Sequence, residues 1–235
     1  PYPAPGTALR AGSVVGTSPP LAGSGGVQMC ERGGNAVDAA LATAITLTVV
    51  EPCMNGIGGD AFAILWDGKK MHGLNASGRA PRRWTPEYFS KYKSMPLRGW
   101  DSVTVPGTVS AWRALSERFG TLPFADLFEP ALRYARGGYL VSPTVHRQWQ
   151  AQVAELLPQP GYREAFAPQG RAPLPGEYFI CPGQARTLEL IAQTKGDAFY
   201  HGELAKAIAD HARATSGLID EADLAAHNCA WVDPI

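Results

Sequence analysis

Residues 17–62 read TSPPLAGSGGVQMCERGGNAVDAALATAITLTVVEPCMNGIGGDAF, and the fold depends on how this stretch divides. A turn at Ser18-Pro19-Pro20 leads into a helix over about 21–32, which Gly33-Gly34 stop because glycine enters the left-handed region without a Cβ penalty. Asn35 then caps a second helix over 36–50. Its apolar residues fall on nearly every side and carry little charge, the pattern of a helix buried all round and packed closely through small side chains. The lone Asp38 in such a setting is expected to satisfy nearby donors rather than to do chemistry. Glu51-Pro52 end the helix. Before this stretch, residues 12–17, GSVVGT, read as a short strand.

Residues 56–61, GIGGDA, satisfy the pattern G-x-G-x-x-[GA]. That pattern binds a dinucleotide only between a strand and a helix, with the helix N-terminus facing the pyrophosphate. Here a helix precedes and a strand follows, and no acidic residue stands where the ribose contact needs one. A tight turn in which backbone passes close to backbone is the better reading. Residues 61–77, AFAILWDGKKMHGLNAS, follow as a hairpin around Asp67-Gly68. Its second strand runs into GLNASGRAP, residues 73–81, where Arg79 stands two residues before the kink at Pro81.

Beyond residue 85 the chain becomes mainly helical. Thr85 caps a segment with Pro at its first position. Residues 106–120 and 124–138 carry helical spacing and end at Gly, and 143–157, 183–195 and 202–215 read the same way. Residues 161–182 are rich in Pro and Gly and read as a long connection or a lid-like excursion.

The 21 basic and 21 acidic residues cancel. A nucleic-acid partner or an anionic membrane would call for a basic excess or a basic face, and Arg79, Arg82 and Arg83 stand too close together to form one. No apolar run is long enough to span a bilayer. The four cysteines lack C-x-x-C spacing, with Cys30 and Cys53 expected as core thiols. The five histidines form no H-x-x-x-H pair, so no metal or other cofactor is called for. The chain shows no signal-peptide pattern, which leaves the compartment open between bacterial cytoplasm and periplasm.

Four segments in order, 17–62, 103–142, 196–211 (GDAFYHGELAKAIADH) and 217–235 (GLIDEADLAAHNCAWVDPI), resemble the γ-glutamyltransferase (γ-glutamyl transpeptidase) family. The resemblance covers nearly the whole chain and is weakest between residues 145 and 182. It implies an α+β fold: the N-terminal fragment of an N-terminal-nucleophile (Ntn) hydrolase αββα sandwich, with residues 1–235 forming one partial domain. Within it, 11–81 supply the strand, helix and hairpin part and 86–235 the mainly helical part. The family's precursor cleaves itself and exposes a threonine at the start of a small subunit. That threonine attacks a γ-glutamyl amide with its own α-amino group as base, while backbone N–H groups hold the oxyanion. AWVDPI resembles the middle of the large-subunit region, and no threonine here matches the maturation site. The expectation is therefore that no catalytic residue lies in this chain, which alone is inactive. Apolar surface is expected to be covered by the small subunit from the same precursor or by another copy of the chain, which keeps a homo-oligomer open.

The family's large subunit binds the substrate's α-carboxylate through the arginine of an R-E-x-A-P motif. Aligned on Ala80-Pro81, that arginine position is Ser77 and the glutamate position is Gly78. Losing such a charge-assisted pair weakens binding by about 1.5–3 kcal/mol, or ten- to a hundredfold. If the strand continues, Arg79 shares a face with Ser77 and its fork reaches the same pocket; the alternative is a structural pair near the Pro81 kink. Ser77 and Arg79 are thus the candidate substrate-binding residues, Ser77 as a small polar wall. Three readings remain: a γ-glutamyl enzyme, an acylase on a non-glutamyl side-chain amide, and a non-catalytic scaffold relative.

Overall fold

The computed structural model describes residues 12–234; the first eleven residues and Ile235, with the start of the predicted 11–81 segment, lie outside the described residues. Two helices open the fold, α1 (Pro20–Glu31) and α2 (Ala36–Val50). Asn35 Oδ1 accepts from the Val37 and Asp38 amides, and Asp38 returns the contact from the Asn35 N–H, a complete capping box. The fully buried Asp38 carboxylate also accepts from the backbone N–H groups of Thr121 and Leu122, so it fastens α2 to a distant loop, as its surroundings predicted.

The helices approach closely because α1 presents glycine where α2 presents threonine. A Cβ on Gly26 would stand 2.3 Å from Thr43 Oγ1 and 2.9 Å from the Ala39 carbonyl. Buried Thr43, Thr46 and Thr48 return their hydroxyls to the carbonyls of Ala39, Ala42 and Ile45, which lets polar side chains sit inside the core. Residues 12–17 differ from expectation. Residues 12 and 13 form a bend, and the segment pairs with no described strand.

The hairpin forms as β1 (Ala61–Trp66) and β2 (Met71–Ala76), with Gly68 at φ 92° in the turn. The helical part follows with α3 (Pro86–Phe89), α4 (Thr108–Phe119), α5 (Glu129–Gly137) entered through a 3-10 turn at Phe124–Phe128, β3 (Tyr139–Leu140) and α6 (Pro143–Leu156). Then come α7 (Tyr162–Phe166), β4 (Tyr178–Phe179), α8 (Pro182–Thr194), α9 (Asp197–Tyr200), α10 (Glu203–Ala214), α11 (Glu221–Ala225) and β5 (Ala230–Val232). The Pro/Gly-rich stretch is no loose lid. It holds α7, is braced by the Arg171–Glu177 ion pair at 2.8 Å, and returns to pair β4 with β3. The fold is α+β.

The main core gathers Leu41, Ile45 and Val49 of α2 with Trp112, Phe128, Trp149, Leu188 and Ile191. Cys181 is buried in it, whereas Cys30 and Cys53 are only half-buried. The three-stranded sheet, ordered β1-β2-β5 and antiparallel throughout, lays Leu74 and Ala76 on Ala111 of α4. Its other face is bare: Phe62, Ile64 and Trp66 are 67%, 68% and 60% exposed. β1 therefore turns small Ala61 and Ala63 toward the helix and its bulkiest side chains outward. Periodicity alone does not assign these faces, because both are apolar.

Candidate active site

At the end of this sheet the predicted residues meet others that the sequence did not flag. Pairing of Ala61 with Ala76 places Asp60 abreast of Ser77, and pairing of Asn75 with Ala230 leads Asn228 toward the same end. β2 stops at Ala76. The Ser77 N–H donates to Asn75 Oδ1 (2.8 Å), the Gly78 N–H to Asp60 Oδ1 (3.1 Å), and the Val105 N–H to the Arg79 carbonyl (2.9 Å). The ladder therefore ends before Ser77, and no strand pairing fixes the shared face expected for Ser77 and Arg79. Side-chain acceptors take up the Ser77 and Gly78 amides, and the backbone lies against residues 104–107. Contact there is tight: a Cβ on Gly78 would lie 1.8 Å from the Val105 carbonyl oxygen, and one on Gly107 1.9 Å from that of Ala76.

Both predicted residues are exposed. Among the described residues the Arg79 guanidinium makes no ion pair or side-chain hydrogen bond, so the structural partner considered near Pro81 is not found. Arg82 fills that structural role: it reaches Asp223 at 3.1 Å and Asp220 at 3.3 Å, pinning the chain beyond Pro81 to α11.

The glycine loop faces backbone. The Gly59 carbonyl accepts from the N–H groups of Gly107 and Thr108, both at 3.0 Å. These amides open α4, so the loop occupies the place a phosphate would take at a helix N-terminus. Its acidic residue, Asp60, accepts the Gly78 N–H of the 77–79 segment.

His227 lies within electrostatic reach of Asp60 and Arg79. Ser110 Oγ donates to the Gly107 carbonyl (2.7 Å) and stands 3.0 Å from His227 Nε2, so Nε2 carries the proton and Nδ1 is the bare acceptor. Nδ1 is buried without a partner among the described residues. Burial, chiefly, holds the His227 pKa below its ordinary value; the Arg79 cation adds to this and the Asp60 carboxylate opposes it. The ring stacks on Tyr200, centroids 5.4 Å apart, and the Tyr200 hydroxyl donates to the Pro106 carbonyl at 2.9 Å. A cleft of about 300 Å³ beside the ring is lined by Ser110, Arg113, Tyr200 and Cys229. Sequence reasoning missed His227 and Asp60 because their partners lie 117 and 18 residues away. The one local signal was an acid closing a glycine loop.

The sequence model described as gamma-glutamyltranspeptidase matches residues 22–235. The Glutathione hydrolase-like YwrD proenzyme of Bacillus subtilis (strain 168) is 38% identical over 232 residues, covering 95% of this chain and 44% of that protein. Two solved structures superpose closely. Cephalosporin acylase from Bacillus halodurans has a TM-score of 0.90 at 41% identity, covering 100% of this chain and 46% of that one. Helicobacter pylori gamma-glutamyltranspeptidase has a TM-score of 0.92 at 27% identity, covering 98% of this chain and 68% of that one. The chain thus spans less than half the length of the first relative, in a fold shared with Ntn hydrolases. With the matched model running over nearly all of its length, the chain belongs to the gamma-glutamyltranspeptidase family.

Proposed function

We propose that this chain is the N-terminal part of the large-subunit region of a γ-glutamyltransferase-like Ntn amidohydrolase, in which Arg79 receives the carboxylate of the acyl donor. The observation that carries this is the Arg79 guanidinium, exposed at the end of the sheet and unpaired among the described residues, whereas Arg82 is paired with Asp220 and Asp223. An arginine fork in that state is free to take a carboxylate through two parallel hydrogen bonds. Ser77 is the small wall beside it, and residues 11–81 and 86–235 form one partial domain.

The nucleophilic threonine belongs to a second subunit from the same precursor. Its Oγ bonds to the amide carbonyl carbon as its proton passes to its own α-amino group. The C–N bond then breaks, the amine leaves with that proton, and water or an acceptor amine takes the acyl group. The bare face of Phe62, Ile64 and Trp66 supports such a partner, because an exposed apolar patch of this kind marks a contact surface. A second reading, an acylase on non-glutamyl amides, is favoured by Ser77 at the clamp position and by the likeness to a cephalosporin acylase.

Assay of the full-length, processed protein on γ-glutamyl-p-nitroanilide and on an acyl anilide without the α-carboxylate separates the two. The first reading expects a higher kcat/KM on the γ-glutamyl donor. Equal or reversed values favour the acylase, and no turnover of either by processed protein favours the scaffold.

A further inference from the structure

Asp60 is the acid of the glycine loop, and its loop is fixed independently by the two α4 amides on the Gly59 carbonyl. From that anchored position its Oδ1 accepts the Gly78 N–H at 3.1 Å. Gly78 is the central residue of the 77–79 segment, pressed onto the Val105 carbonyl, and Arg79 is the next residue. Among the described residues the Arg79 side chain has no hydrogen-bond or ion-pair partner, so the part of Arg79 that the fold fixes is its backbone. That backbone is held by the Val105 contact on one side and by Asp60 on the other.

We propose that Asp60 is the positioning residue of the substrate site: by holding the Gly78 N–H it sets the direction in which Arg79 meets the donor's carboxylate. This rests on the reading of Arg79 given above. An acceptor oxygen at residue 60 is what the role requires. An asparagine supplies one without charge, and an alanine supplies none. Without it the 77–79 segment relaxes, the guanidinium samples more directions, and carboxylate binding weakens.

The test is steady-state kinetics of the full-length processed enzyme carrying Asp60→Ala, Asp60→Asn or Arg79→Ala on the two anilides. Thermal melting of each variant accompanies it. The expected result is a KM for the γ-glutamyl donor raised by about tenfold in Asp60→Ala. Its kcat stays near wild type, Asp60→Asn recovers most of the loss, and KM for the carboxylate-free donor rises far less. Equal loss on both donors, no loss, or an Asn variant as impaired as the Ala variant overturns the positioning role. The underlying reading fails separately, through an Arg79→Ala enzyme that keeps the wild-type preference. If Arg79→Ala abolishes that preference and Asp60→Ala does not, the carboxylate reading stands and the role of Asp60 is overturned.

Discussion

Gly78 has no room for a side chain, since a methyl group there would meet the Val105 carbonyl oxygen at 1.8 Å. Relief requires the 77–79 segment to leave residues 104–107. Gly78→Ala is therefore expected to cost about 1–3 kcal/mol of stability, read as a lower melting temperature, and to raise KM for a γ-glutamyl donor. Near-wild-type values of both contradict the contact. His227 supplies a pH prediction at the same scale. Its folded pKa lies below the unfolded value, so on acidification the unfolded chain takes up the proton first. The stability of the neutral, buried ring is fully present above about pH 6.5 and is lost as pH falls through that value toward the folded pKa. Thermal melting between pH 7.5 and 5 is expected to show a smaller decline for His227→Gln than for wild type, and parallel declines contradict it. Single-residue roles were legible where the cause is local. Asp38 reads as a satisfied acid from its place at a helix start. Asp60, Gly78 and His227 do not, because their contacts depend on which loops the fold brings together.

Among the elements, α1 and α2 were readable to within a residue, since Pro, Gly-Gly, Asn and Pro mark their ends. Their closeness follows from Gly26 against Thr43. Gly26→Ala is expected to lower stability by about 1–3 kcal/mol through overpacking, and denaturant unfolding checks it. A change below 0.5 kcal/mol would mean that the helices separate freely. β5 escaped the sequence reading because three residues carry too short a pattern, and their strand character comes from pairing with β2 across the chain. Residues 12–17 show the converse: strand-forming residues with no described ladder to join. The β2 boundary decided most, since the ladder stops at Ala76 and the next residues are held by Asp60 and Val105 instead of by a strand partner.

At the scale of the molecule, among the described residues helix α4 covers one face of the sheet and no helix covers the face of Phe62, Ile64 and Trp66. The chain 1–235 alone is expected to self-associate in gel filtration and to bind an apolar dye. Replacing Phe62 and Trp66 together with Ser is expected to reduce both without loss of helical content. A monomer that binds no dye contradicts the view that this face awaits a partner. Class and order of elements were legible at this scale because the motifs occur in sequence order. The bare face was not, because β1 is apolar on both sides. The central claim, that Arg79 supplies the carboxylate contact left open by Ser77, is tested most directly by comparing wild-type and Arg79→Ala enzymes on γ-glutamyl-p-nitroanilide and on an acyl anilide lacking the α-carboxylate. The predicted result is a ten- to hundredfold fall in kcat/KM, on the order of 1.5–3 kcal/mol, confined to the γ-glutamyl donor; an undiminished preference for that donor in Arg79→Ala would contradict the account.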